Sequence, residues 1–222
     1  LQSFIFMLLI HSDDIGDSVS FRAWDSDHCR ELWEFDQALE FIPNETVGSL
    51  DDPFILNATG AFAQHININS NWKWYSLNIS HQDMSFNAVT DYLSPSNNDR
   101  IISPSDMAFN QYSSDYGWYG GINTMDNKSM YSSHFINEDL LTYIGFEVDP
   151  DTNIINYTSG WNWISYTPQL KLPIDEALIN LNVESNDEIK SQIGYSTYTG
   201  STWIGAIEFM EPGIGYMLRS SI

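Results

Sequence analysis

The sequence holds a single cysteine, Cys29, and only eight basic residues in 222. A lone thiol closes no disulfide within the chain, so whatever folds must rest on apolar cores. Eight Lys and Arg against thirty Asp and Glu leave a net charge of −22. Such a surface repels nucleic acid and anionic lipid, both of which are held by clustered cations, and neither is expected as a partner. Long apolar runs are also missing. Phe4 to Ile10 is too short to cross a bilayer, and Leu1 to Ile10 has neither the basic n-region nor the small-residue cleavage site of a signal peptide.

Catalytic signatures are scarce. The histidines His11, His28, His65, His81 and His134 show no metal-ligand spacing, and neither a G-x-S-x-G elbow nor a Gly-rich phosphate loop occurs. With thirty acids any pair of carboxylates is uninformative, so the chain is read as no enzyme. Beginning at Leu1 in an apolar run and ending in Ser-Ser-Ile, it reads as a segment of something longer.

What is present is a repeat. Asn71-Trp72-Lys73-Trp74-Tyr75-Ser76 returns as Gly160-Trp161-Asn162-Trp163-Ile164-Ser165, and the agreement continues downstream. Met84, Phe86, Val89 and Leu93 match Leu172, Ile174, Ala177 and Leu181. Asn98-Asp99 matches Asn186-Asp187, and Trp118-Tyr119-Gly120 matches Trp203-Ile204-Gly205. Agreement over so many positions marks a module, not a chance pair of indoles. The organisation expected is a β-sandwich-like segment over 1–64, repeat 1 over 65–135, a strand-like connector over 136–157 and repeat 2 over 158–222.

The fold class expected is mainly β with short helices, a β-rich α+β chain. Val19, Phe21 and Ala23 alternate with polar neighbours, and short strands with polar turns fill the first segment. Each repeat reads β-α-β-β-β, its short helix carrying Met84, Phe86, Val89 and Leu93 in the first copy and Leu172, Ile174, Ala177, Leu178 and Leu181 in the second, which starts with Pro173 and has Asp175 and Glu176 in its first turn. One strand is expected through Ile101 to Tyr112. Phe4 to Ile10 is expected as a strand that could donate itself to a neighbouring sheet.

Gly160-Trp161-Asn162-Trp163-Ile164-Ser165, Leu172-Pro173-Ile174-Asp175-Glu176-Ala177 and Glu211-Pro212-Gly213-Ile214-Gly215-Tyr216-Met217 resemble a tandem repeat of large secreted surface proteins of marine and gliding bacteria. The resemblance implies a secreted or cell-surface location and a place in a stalk, adhesin or filament, with other copies or neighbouring domains of the assembly as partners. The first copy departs from the pattern, with Asp126-Asn127-Lys128 for Glu211-Pro212-Gly213 and Ile102-Ser103-Pro104 for Lys190-Ser191-Gln192.

Three sets of residues are candidates for function. Trp72, Trp74, Trp118, Trp161, Trp163 and Trp203 hold paired repeat positions and are expected as core, because small modules need large side chains to bury enough area. Tyr112, Tyr116 and Tyr119 are the candidate ligand-binding face, since tyrosine tolerates a wet edge. Asp149, Asp151 and Asn153 open like a calcium loop, although Ile154 stands where such a loop needs Gly. The function expected is a non-catalytic structural or interaction segment with calcium as a possible ion; the alternative is a carbohydrate-binding module that uses exposed aromatic residues on glycans.

Overall fold

The computed structural model describes residues 7–26, 30–104 and 107–222, and it is mainly β with two short helices among them. The chain divides into two compact units, 1–63 and 64–222. In the first, β1 (Ser18–Val19) pairs with β4 (Leu39–Glu40), and β2 (Ala23–Asp25) pairs with β3 (Arg30–Leu32). The alternation through Val19 and Ala23 is therefore divided between two strands, because residues 20–22 leave the ladder. Arg30 lies over the Phe62 ring at 4.6 Å and bonds Asp25 at 3.3 Å. Of the run expected as a donor strand, residues 1–6 lie outside the described residues; residues 7–10 form no strand and stand exposed.

The second unit holds both repeats. β5 (Phe62–Ile68), of which residues 64–68 belong to this unit, and β7 (Ile79–Ser80) flank β12 (Asp139–Glu147), with Phe146 opposite Ser80. Repeat 1 folds as β6 (Asn71–Ser76), α1 (Phe86–Thr90), β8 (Arg100–Ile102), β9 (Phe109–Ser113), β10 (Gly117–Gly120) and β11 (Met130–Phe135). Repeat 2 follows with β13 (Gly160–Ile164), β14 (Leu172–Pro173), α2 (Ile174–Ala177), β15 (Glu188–Lys190), β16 (Tyr195–Tyr198), β17 (Trp203–Gly205), β18 (Phe209–Met210) and β19 (Tyr216–Ser220). The single strand expected through Ile101 to Tyr112 is instead the antiparallel pair β8 and β9. Pro104 cannot donate to a ladder, and the chain turns back there.

The two sheets have one order: β10-β9-β8-β11-β6 in repeat 1 and β17-β16-β15-β19-β13 in repeat 2. The reason lies in residues that each repeat buries. Asp99 is 1% exposed and accepts the backbone N–H of Ser96 and Ile136; Asp187, equally buried, accepts those of Glu184 and Ser221. Each carboxylate thus pins the loop before its third-position strand to the end of the strand beside it. Just before them Asn98 and Asn186 adopt φ of 76° and 77°, a conformation asparagine tolerates. Gly120 and Gly205 lie at φ of 151° and 156°, and a Cβ would fall 2.0 Å from the Phe109 carbonyl oxygen and 2.3 Å from that of Tyr195. No other residue fits there.

Repeat 2 closes over Ile164, Tyr166, Ile174, Ile189, Trp203, Ile207, Met210, Tyr216 and Leu218. Each side chain of this size contributes about 1.5–3 kcal/mol on full burial. Ile155 and Tyr157 also pack against this cluster. The tail of the segment expected as a connector is therefore built into repeat 2, while its first half is the strand β12.

The repeats lock together reciprocally. Ser76 N–H donates to the Gly213 carbonyl at 3.3 Å, and its counterpart Ser165 N–H donates to Lys128, the counterpart of Gly213, at 3.1 Å. Their hydroxyls follow, Ser76 to Ile214 O at 2.8 Å and Ser165 to Asn127 O at 2.5 Å. This is the contact pattern of a two-fold pair, made within one chain. Gly215 sits where the repeats meet, since a Cβ there would fall 2.3 Å from Met130 and 2.9 Å from the Tyr75 nitrogen.

Candidate binding face

The paired tryptophans divide by the face of the strand they occupy. Side chains alternate along a strand, and Tyr75 of β6 and Ile164 of β13 take the inward positions. Trp72 and Trp74, and likewise Trp161 and Trp163, therefore point to the outward face. Trp72 is 47% exposed and Trp161 43%; Trp74 and Trp163 are half-buried. The expectation that all six are core is corrected for these four: the core is filled from the other face, by Tyr75, Tyr131 and Phe135 in repeat 1 and by Tyr216 and Leu218 in repeat 2. Trp203 is buried at 7%, and half-buried Trp118 packs edge-on against Phe86 at 5.3 Å and Tyr112 at 5.5 Å.

The three candidate tyrosines do not converge. Tyr112 lies against Trp118 on the inward side, Tyr116 projects from the β9–β10 turn, and only Tyr119 stands on the outward face, 49% exposed.

Strand register sets what surrounds Tyr119. Trp72 is opposite His134, His134 opposite Arg100, Arg100 opposite Gln111, and Gln111 opposite Tyr119. These five residues form one row across all five strands. Four inter-strand steps of about 4.8 Å separate its ends by roughly 19 Å. Trp72 meets the His134 ring edge-on at 4.9 Å. Phe109, exposed, lies in the next row, which begins at Trp74 and passes through Ser132 and Ile102. The row runs out beside a shallow polar cleft of about 390 Å³ bordered by Tyr119, Asn87 and Asn123.

The matching row of repeat 2 is Trp161, Arg219, Glu188, Thr197 and Ile204. Its charges pair with one another. Glu188 bonds Arg219 at 3.2 Å and Lys190 at 3.7 Å, and the Lys190 ammonium rests 4.3 Å from the Trp161 ring centre. An aliphatic residue, Ile204, takes the place of Tyr119.

The edges differ as well. Gln192 accepts the Trp74 N–H at 2.8 Å and donates to the Trp72 carbonyl at 2.7 Å, capping the outer edge of β6. Sequence alignment of the repeats puts Pro104 where Gln192 stands, and proline offers no side-chain amide to do the same for β13.

Among the acids expected to hold calcium, Asp149 accepts the Asp151 N–H at 3.0 Å, and the Asn153 amide donates to Asn127 O and Thr167 Oγ1. The segment is a turn whose amide bonds repeat 1 to repeat 2, and no group of three or more His, Cys, Asp or Glu comes together for a metal among the described residues. The tyrosines buried in the cores are shifted upward by loss of water: Tyr166 and Tyr216 reach about 12, and Tyr75 and Tyr131 are raised as well. Sequence reasoning missed Phe109, Gln111, Arg100 and His134. The apolar Ile164, in phase opposite to Trp161 and Trp163, was the signal that the indoles face outward.

Comparison with protein-family models, with curated proteins and with solved structures gave no match to this chain.

Proposed function

We propose that the chain is a non-catalytic structural and interaction segment of an extracellular surface or filament protein, serving adhesion or assembly beside other copies or neighbouring domains. The observation that supports this reading is the reciprocal docking of the repeats, with Ser76 on Gly213 and Ser165 on Lys128. A segment that transmits force or holds a binding face at a fixed angle needs a rigid joint, and backbone bonds made in both directions provide one. Capping of the β6 edge by Gln192 fits the same purpose, since an open edge invites unplanned strand pairing. The strong negative charge keeps such a surface soluble in salt water, and the tandem-repeat resemblance agrees with secretion.

Two measurements test it. Under single-molecule extension, repeats 1 and 2 are expected to yield in one event; separate unfolding at independent forces would overturn the rigid-joint reading. Antibody against the folded chain is expected to label intact cells, and labelling that needs permeabilisation would remove the extracellular assignment.

A further inference from the structure

We infer that the outward face of repeat 1 binds an oligosaccharide carrying an anionic group, a carboxylate or a sulfate ester, with Trp72 and Tyr119 stacking on sugars at the two ends and Arg100 holding the anion between them. The inference rests on reading the chain as an interaction module. It adds the site and the chemical class of its ligand.

Pyranose rings present flat C–H faces that stack on exposed aromatic rings, and hydroxyls at their rims that need donors and acceptors. The row supplies both in the right order. Trp72 and Tyr119 stand half-exposed at its ends with Phe109 beside them, and His134, Arg100 and Gln111 lie between. A span of roughly 19 Å suits a short oligosaccharide laid across the strands, not a single sugar.

Arg100 decides the class. In a chain with thirty acids to eight bases, this exposed guanidinium makes no ion pair, hydrogen bond or ring contact among the described residues, whereas its row-mates in repeat 2 neutralise each other through Glu188. An unpaired arginine fork with aromatic neighbours matches a carboxylate or sulfate geometrically. The net charge of −22 sets the limit on charge density: beyond a Debye length of about 8 Å the other acids are screened, so sparsely charged glycans fit and dense polyanions do not.

The test is calorimetric titration of the whole chain with three probes: a hyaluronan oligosaccharide, the same oligosaccharide with its carboxyls reduced to alcohols, and a galactan oligosaccharide bearing one sulfate ester per disaccharide. Binding of one or both anionic probes is expected, and which one binds identifies the anion. Trp72→Ala and Tyr119→Ala should each weaken it about tenfold or more. Arg100→Gln should cost about tenfold with the anionic probe and nothing with the reduced one. Trp161→Ala should leave affinity unchanged. Circular dichroism and melting temperature confirm that each variant is folded. Equal affinity for the reduced probe, or an Arg100→Gln variant that binds normally, overturns the anionic class. Absence of binding to all three, or loss of binding in Trp161→Ala, overturns the site. One-step unfolding under force is independent of these outcomes, so the rigid-joint reading and this one fail separately.

Discussion

Repeat 1 and repeat 2 share a strand order, a buried aspartate bonded to two backbone amides, and a glycine pressed against a neighbouring carbonyl, yet their outward rows have little in common. One ends in aromatic rings with an unpaired arginine between them; the other is closed by Glu188, Arg219 and Lys190 around Trp161. The difference shows where the fold constrains sequence. The turn positions held by Asp99 and Asp187 and by Gly120 and Gly205 have one solution each, because loss of a shared acceptor or a Cβ inside a carbonyl costs much of the marginal stability of a domain, whereas apolar inward positions ask only for bulk, as Tyr75 against Ile164 shows. Outward positions meet only solvent and one another, so the same scaffold can close one face and leave the other available.

Base should have the largest effect, and on both cores. Tyr166 and Tyr216 of repeat 2 rise from 10.0 to about 12 through desolvation, and Tyr75 and Tyr131 of repeat 1 are raised by the same cause. A group whose folded value is raised gives stability that is complete below its unfolded value and is lost as pH climbs toward the folded one. Stability should therefore hold to about pH 10 and fall between 10 and 12. Phenolate absorbance followed beside circular dichroism would show the buried tyrosines ionising only as the fold is lost. All twelve tyrosines ionising near pH 10 with the spectrum intact would contradict the packing described.

Next in size are Asp99→Ala and Asp187→Ala. Each removes the carboxylate that accepts two backbone N–H groups, at about 1 kcal/mol or more per bond. Urea denaturation should give similar losses in the two variants, each as a single transition. A biphasic curve in either would show that the repeats do not stand or fall together.

Gln192→Ala should cost about 1 kcal/mol, because the freed edge of β6 is open to water. The matching change on the other side, Pro104→Ala, should cost less, since no edge bond is removed. Equal losses would mean that the edges are not as different as their chemistry indicates.

The smallest effect belongs to the indoles themselves. Trp161→Ala removes the support for Lys190 and should lower stability by about 0.5–1 kcal/mol; Trp72→Ala should change melting temperature less while removing ligand affinity.

The repeat, its helix after Pro173 and the turn glycines could be read from the chain, because periodicity, proline and glycine act locally. The phase of Trp72 and Trp161 is carried by the alternation with Ile164, not by the size of the indoles. Tyr112, Tyr116 and Tyr119 lie close together in the chain, but a turn at Tyr116 and a change of strand send them three ways. Arg100, His134 and Gln111 gave no local sign, since a row across a sheet is assembled from residues far apart in sequence.

By itself, then, the sequence determined that two like modules are β-rich, negatively charged and built around repeated turns, since composition and short-range spacing are properties of the chain. Tertiary structure alone decided that the modules grip each other through Ser76 and Ser165, and that Trp72 and Tyr119 end up on one row. Register and docking arise from hydrogen bonds between distant strands, and no local pattern specifies which residue will stand opposite which.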